Sequence, residues 1–193
     1  MAHATMFETF TPSVEETLYY LKQWVRNEQV VLNKRELDLL FLAGNDFSSN
    51  EILEQKITML KRIYKSRIGH HALIIQTIQN HKELQKEISN GNLSIVNTLS
   101  SEIQVANIYP FLTKFFHHHN PTAYPFYSNN VANMLYYLDQ RDHFYNKRVS
   151  RSLMASYENF YDVMESFKRH YNLNDCSFLY LDILLNGSYN EFK

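Results

Sequence analysis

The chain has 193 residues, of which 45% are hydrophobic and 20% charged, and its formal net charge at pH 7 is −1. This length and balance are typical of one globular domain. The near-neutral charge excludes a general attraction to nucleic acid, so a nucleic-acid binder of this composition needs a local basic patch. Only four glycines and four prolines are present, too few turn formers for a β sandwich or barrel.

Several classes of site and location are also excluded by what the sequence lacks. No glycine-rich phosphate loop occurs, and a single cysteine, Cys176, excludes an internal disulfide and a cysteine-based zinc site. Met1 to Thr11 has no basic stretch followed by an apolar one, and no apolar run approaches the length of a membrane span. We therefore expect a cytoplasmic protein with no membrane partner.

Apolar residues recur at helical spacing along almost the whole chain. Five helices are predicted with both ends: Asn33–Gly44, His70–Ile88, Leu93–Val105, Leu153–Tyr171 and Ser177–Leu185. Four more are predicted from their starts, at Pro12 or Ser13, at Ser48, at Tyr109-Pro110 and at Ser128. Asp139 to Arg151 is predicted to be an exposed connection, and Gly187 to close the last helix. The fold class predicted is all-α, a single globular multi-helix domain over residues 1–193 with about eight or nine helices.

The stretch from Lys114 to Val131 departs most from the rest of the composition, because it holds three of the nine histidines and two prolines. Metal ligands on one helical face need i, i+4 spacing, whereas the consecutive His117, His118 and His119 point in different directions. A metal would need further ligands supplied by the fold. The alternative, which we favour, is one buried histidine with the other two solvated. We therefore predict no metal and no cofactor.

Two basic clusters could contact phosphates. In the first, a helix carries Lys56, Lys61, Arg62, Lys65 and Arg67. Cations at its C-terminal end also suit the helix dipole, so we favour a solvated face there. The second cluster consists of Arg141, Lys147, Arg148 and Arg151, interleaved with His143, Phe144 and Tyr145. Cations mixed with aromatics are typical of backbone contact plus base stacking, although a plain exposed loop is slightly favoured. The pair Tyr136-Tyr137 is predicted to pack in or beside the core.

The same stretch resembles a group of small uncharacterised bacterial proteins. Their hallmark is approximately K-F-L-H-F-x-N-P-x-x-(F/Y)-P-I-(Y/W)-D-S-x-V, and the positions that match or nearly match are Lys114, Phe115, Phe116, His117, Asn120, Pro121, Tyr124, Pro125, Phe126, Tyr127 and Val131. Ser177 to Gly187 is similar to the final helix of that group. The resemblance covers mainly residues 105–187.

That group is in turn distantly similar to the helix-hairpin-helix DNA glycosylases, in which a P-x-D-x-x-V segment opens a helix and its Asp assists base excision. The resemblance implies a glycosylase-like shape. Here the position of the acid is occupied by Ser128, and no glycine lies between Gly91 and Gly187 to form the glycine-rich hairpin. The implied shape thus lacks the catalytic acid. Lys114 would be an amine nucleophile only if burial lowered its pKa.

Three functions remain open, in this order: a nucleic-acid-binding domain for DNA or RNA, a protein-interaction module in phage–host conflict or stress, and a histidine-dependent enzyme. The sequence favours a protein without catalysis, of bacterial or phage origin, and assigns no catalytic residue. The candidate nucleic-acid-binding residues are Lys114, His117, His118, His119, Tyr124, Tyr127, Ser128, Asn129 and Arg148.

Overall fold

The structure, a computed structural model, describes residues 9–43 and 47–192. Every regular element in those two ranges is helical, which confirms the all-α prediction. The α-helices are α1 (Val14–Val25), α2 (Glu28–Ala43), α3 (Asn50–Ile63), α4 (His71–Asn80), α5 (Leu84–Ser89), α6 (Ser94–Ile103), α7 (Ile108–His119), α8 (Asn129–Asp142), α9 (Tyr157–His170) and α10 (Phe178–Phe192), with a short 3-10 helix at Leu153–Ala155. None of these helices is both long and apolar enough to cross a membrane.

The chain divides into two compact units, each with its own set of helices. Unit 1 comprises residues 1–27 and 127–193, and unit 2 comprises residues 28–126. Unit 1 therefore contains α1 and α8 to α10, while unit 2 contains α2 to α7. The prediction of one domain over residues 1–193 stays a prediction, and each unit is described by itself.

The core of unit 1 is built from the apolar faces of α8, α9 and α10. Helix α10 packs against both α1 and α8. Apolar side chains recur at spacings of three and four along α8 and α9, so that each helix buries one face. The fully buried residues include Val131, Met134 and Leu135 on α8, Phe160, Val163 and Phe167 on α9, and Leu181, Leu184 and Leu185 on α10.

Helix α7 is the centre of unit 2. It contacts α2, α3, α5 and α6, and Phe111, Leu112, Phe115 and Phe116 on it are completely buried. Such a helix is apolar over most of its circumference, because neighbours cover it on several sides. The histidines that follow these aromatics in the sequence therefore begin inside the unit.

Serine caps begin several of the helices, and three of them test the predicted helix starts. Ser13 Oγ accepts the Glu16 N–H at 3.1 Å, and Ser128 Oγ accepts the Val131 N–H at 3.2 Å, as the sequence predicts for both. The start predicted at Ser48 is wrong by one residue, because Ser49 accepts the Ile52 N–H at 3.3 Å. Both serines precede the same apolar run, so the local pattern fits either.

Two predicted helix boundaries differ from the structure. The second helix begins at Glu28, so that Asn33 lies in its interior, and the predicted stop at Gly44 falls outside the described residues. His70–Ile88 forms two helices instead of one, because His81 leaves the helical region with ψ of 82°. This break brings the described α-helices to ten, against the eight or nine predicted.

Gly187 does not close the last helix, because α10 continues through it to Phe192. A Cβ atom at Gly187 would lie 2.4 Å from Cδ1 of Tyr20 on α1. The Tyr20 ring is buried, and its hydroxyl donates to Glu191 Oε2 at 2.6 Å. This glycine is therefore a point of close approach between α1 and α10, and tertiary packing has overridden its usual role as a helix terminator.

The substitution Gly187→Ala should destabilise unit 1. An overpacked contact costs about 1–3 kcal/mol, more than the ~1 kcal/mol that alanine gains over glycine inside a helix. We expect a net loss of about 1 kcal/mol in the free energy of unfolding, measured by denaturant titration. Gly69→Ala is the matched control, since a Cβ there meets no atom within 4 Å. A G187A chain as stable as the wild type would contradict the packing role.

Candidate nucleic-acid interface

The nine candidate residues are distributed over both units. Unit 2 holds Lys114, the three histidines and Tyr124, whereas unit 1 holds Tyr127, Ser128, Asn129 and Arg148. Within each unit the structure shows which of them meet.

His117 and Tyr124 hold the bend after α7 together. His117 is 4% exposed, and its Nδ1 donates to the carbonyl oxygen of Tyr124 at 2.7 Å. The Tyr124 ring is fully buried and stacks on Phe116, while its hydroxyl donates to the carbonyl oxygen of Asn92 at 3.0 Å. These two candidates thus meet each other, but as core groups that stabilise the bend.

His118 and Lys114 both contact Tyr64, which follows α3. The Nε2 atom of His118 lies 2.9 Å from the Tyr64 hydroxyl oxygen. The Lys114 ammonium lies 5.2 Å from the Tyr64 ring centroid and donates to the carbonyl oxygen of Pro110 at 3.2 Å. A cation over an aromatic face is attracted by the ring quadrupole, so this lysine helps to anchor α7 against the end of α3.

His119 faces a lysine that sequence reasoning placed on a solvated face. Lys56 is 0% exposed, so that placement is wrong for this residue. Its Nζ lies 3.4 Å from His119 Nε2 and 4.8 Å from the centroid of the Phe41 ring. Burial lowers the pKa of Lys56 to about 8. The burial comes from the packing of α3 on α7, which the charge pattern of α3 alone gives no sign of.

The three imidazoles are poorly suited to proton transfer near neutral pH. Burial lowers the pKa of His117 to about 4, of His118 to about 3 and of His119 to about 2. A general acid or base works best with a pKa near the operating pH, and an uncharged imidazole gives no ionic contact to phosphate. In the described ranges no group of three or more His, Cys, Asp or Glu side chains is placed to hold a metal ion.

The histidines should make the stability of the chain depend on pH. Their pKa values are lower in the folded than in the unfolded chain, so the unfolded chain binds more protons below about pH 6.5, and the free energy of unfolding falls as the pH falls towards about 4. The substitution His119→Leu should make this decline shallower by up to about 1.4 kcal/mol per pH unit, measured by denaturant titration at several pH values.

His143→Asn provides the control for that experiment. His143 is exposed and has a φ of 50°, a left-handed conformation that asparagine tolerates. The control chain should keep the wild-type slope. If His119→Leu also kept it, the uncharged state of His119 at neutral pH would be refuted.

In unit 1, Tyr127, Ser128 and Asn129 lie at the start of α8. Tyr127 is buried with its ring against Phe160, and Ser128 caps the helix. The Ser128 hydroxyl also donates to Asn186 Oδ1 at 3.3 Å, and Asn129 is exposed. Tyr127 and Ser128 therefore have structural contacts, which leaves Asn129 as the exposed residue of the three.

The connection after α8 is held by one buried carboxylate. Asp139 is 2% exposed, and its two oxygens accept the backbone N–H groups of Tyr145 at 3.2 Å and Val149 at 2.9 Å. The prediction of an exposed connection from Asp139 to Arg151 is therefore wrong for part of it, because Phe144 and Val149 are buried as well. The chain is folded back along α8, with Lys147 and Arg148 exposed between the two anchored amides.

Two arginines on this connection are held against α8 by neutral side chains. Arg148 Nη2 donates to Gln140 Oε1 at 3.1 Å, and Arg151 Nη2 donates to Asn133 Oδ1 at 2.7 Å. An amide orients a guanidinium without neutralising it, so both groups keep their positive charge. No ion pair in the described ranges involves either arginine. We call this surface the α8 strip; its members are Asn133, Tyr137, Gln140, Lys147, Arg148 and Arg151.

Sequence reasoning found only part of the α8 strip. Arg148 and the cationic connection are predicted, but Asn133 and Gln140 are not, and Tyr137 is assigned to packing. The signal that could have found them is the spacing of Asn133, Tyr137 and Gln140, which at i, i+4 and i+7 places them on one helical face. Arg141 is excluded from the strip, because it bonds to Asp142 and to the carbonyl oxygen of Phe10.

The start of α8 and Arg148 lie far apart. Ser128 and Gln140 are separated by about 18 Å along the helix axis at the usual rise per residue. Arg148 therefore belongs to the far end of the helix, while Arg151 and Asn133 lie closer to its first turn.

Helix α2 in unit 2 presents a second unusual surface. It buries Leu37 and Phe41 on one side, yet Leu39 is 60% and Leu42 79% exposed on the opposite side. Val31 and Leu32 extend the exposed side at helical spacing. We call Val31, Leu32, Leu39 and Leu42 the outer face of α2. Arg62 on the neighbouring helix is paired with Glu36 at 2.5 Å, as expected for a solvated basic face.

Comparison with known proteins finds a family model and a relative that match this chain. The family model HI_0787_N, described as an N-terminal domain, matches residues 16–123, more than half of the chain. An uncharacterized protein of Haemophilus influenzae is 30% identical over 149 residues, which cover 75% of this chain and 71% of that protein. No solved structure matches.

These matches extend the similarity to uncharacterised proteins into the N-terminal half of the chain. The matched range, residues 16–123, includes most of unit 2, for which the residue pattern predicts helices and nothing more specific. Membership of a family of uncharacterised proteins is confirmed, while the motif read over Lys114–Val131 stays a prediction. Neither match tests the likeness to glycosylases, which stays a prediction.

Proposed function

We propose that this chain, which belongs to the HI_0787_N family, is a nucleic-acid-binding protein that holds its ligand without cutting it. The single observation that carries the proposal is the α8 strip, where Arg148 and Arg151 are oriented by neutral amides at 3.1 and 2.7 Å. Phosphate contacts of this kind supply most of the affinity for nucleic acid and position the chain on its ligand.

The rigidity of the strip supports this function. Lys147 and Arg148 lie between backbone N–H groups that the buried Asp139 carboxylate fixes. Hydrogen bonds to an ionised acceptor are among the stronger ones in proteins, so the connection should lose little entropy when it binds a ligand. Because the net charge of the chain is near zero, binding to nucleic acid needs a local basic surface, and the α8 strip supplies one.

The absence of cutting follows from the contacts of Ser128. In the resemblance to glycosylases, this residue stands where the catalytic acid is expected. Its hydroxyl caps α8 and donates to Asn186, so it serves the helix start. A hydroxyl also lacks the negative charge that would stabilise an oxocarbenium ion. The proposed protein therefore binds nucleic acid and does not excise a base.

The double substitution Arg148→Gln and Arg151→Gln should weaken oligonucleotide binding roughly tenfold. The slope of log K against log salt concentration should become less negative by about 1.4, because two phosphate contacts on a single strand are lost. Fluorescence anisotropy of a labelled oligonucleotide over a salt series measures both.

The matched control is Lys22→Gln with Arg26→Gln, two exposed cations in the same unit, the first on α1 and the second directly after it. This control removes the same charge, so it separates a local contact from the effect of net charge. Binding by the wild-type chain that did not respond to salt would refute the proposal, as would equal losses in the two double variants.

A second candidate function, self-association through the outer face of α2, is favoured by the exposure of Leu39 and Leu42. A surface helix normally buries its apolar side chains on one side and presents polar ones on the other. Exposed apolar side chains grouped on one side of a helix often mark a protein-interaction surface.

Sedimentation velocity over a range of concentrations tests this second candidate. We expect a concentration-dependent dimer that Leu39→Gln with Leu42→Gln converts to a monomer, because the loss of apolar area removes the driving force. Leu18→Gln with Val25→Gln, two exposed apolar residues of α1, is the control and should leave the dimer intact. A wild-type chain that stayed monomeric throughout would contradict this candidate.

A further inference from the structure

We infer that the α8 strip binds single-stranded nucleic acid, with Tyr137 as a platform on which one unpaired base stacks. This inference rests on the proposed function and names the class of its ligand. Tyr137 is 43% exposed, whereas Tyr127, Tyr157 and Phe160 in the same unit are buried.

The position of Tyr137 relative to the two arginines carries the inference. Asn133, Tyr137 and Gln140 follow one face of α8, and the outer two hold Arg151 and Arg148. The distance from Asn133 to Gln140 along the axis is about 10 Å, with Tyr137 between them. Along this face a cation, an aromatic ring and a second cation follow one another.

This alternation fits a single strand better than a duplex. A strand presents its phosphates on one side and can turn its bases towards an aromatic side chain, which is how sequence-tolerant single-strand binders work. In a duplex the bases are stacked on each other, so a ring on a helix surface meets only their edges or the backbone. The exposed phenol ring would have no stacking partner there.

The amides of the strip also indicate how selective the binding is. Asn and Gln side chains can recognise adenine through two hydrogen bonds, but the oxygens of Asn133 and Gln140 accept from the arginines. The Asn133 amide nitrogen donates to the Tyr189 hydroxyl oxygen at 2.9 Å. With these groups engaged inside the protein, recognition depends on charge and stacking, and both tolerate any base.

The test compares Tyr137→Ala with Tyr137→Phe on oligothymidylate and oligouridylate, and on a duplex of the same length. Loss of one stacked base should weaken single-strand binding by Tyr137→Ala roughly five- to hundredfold. The salt slope should stay at the wild-type value, because stacking involves no counterion. Tyr137→Phe keeps the ring and should bind nearly as well as the wild type. Tyr180→Ala, with 40% exposure in the same unit, is the matched control and should change nothing.

The outcomes separate this inference from the function on which it rests. If the arginine double variant weakens binding but Tyr137→Ala does not, or if the wild type binds the duplex as tightly as the single strand, stacking is refuted and the nucleic-acid proposal stands. If the wild type binds none of the three ligands with salt dependence, the proposed function itself fails. Circular dichroism confirms that each variant keeps its helices, so a loss of binding reports on the surface.

Discussion

The buried carboxylate of Asp139 is the interaction on which the candidate interface depends. It takes two backbone N–H groups from the connection after α8, at Tyr145 and Val149, and so folds that connection back along the helix. A buried ion of this kind is costly unless it is hydrogen-bonded, so the carboxylate and the loop conformation require each other. The cations between and beyond the two amides are held beside α8 as a result. A core interaction thereby determines where the surface charge lies.

The three histidines at the end of α7 make their contacts within unit 2 and are not part of the α8 strip. His117 fixes the bend after α7, His118 meets Tyr64, and His119 meets Lys56 among aromatic rings. The pKa of each imidazole is lowered by burial, so at neutral pH the three are uncharged packing groups with polar edges. Because protonation of these imidazoles favours the unfolded chain, they make the free energy of unfolding fall at acidic pH. The feature that stands out most in the sequence thus contributes to the core, and less conspicuous residues form the candidate interface.

The sequence predicts those parts of the fold that depend on residues a few positions apart. The caps at Ser13 and Ser128 follow from a side chain and backbone three residues apart, and the apolar spacing of α8 and α9 shows which face is buried. The local pattern misplaces Lys56 and Gly187, because the environment of each depends on partners distant in sequence. Lys56 is buried by α7, and Gly187 makes room for Tyr20. For the candidate interface, the cations of the connection were visible in the sequence. Their amide anchors were not, since nothing local pairs Arg148 with Gln140 or Arg151 with Asn133.

The way the two arginines are held is the strongest physical reason to assign a ligand to this surface. Two other arginines of the chain are paired with carboxylates, Arg141 with Asp142 and Arg62 with Glu36. Such a pair has little remaining attraction for an anion. Arg148 and Arg151 are instead held by amide oxygens. Their side chains therefore lose little rotational freedom when a phosphate binds, and their charge stays uncompensated. Orientation without neutralisation adds little to the stability of the fold, and it is the condition that an anionic ligand requires.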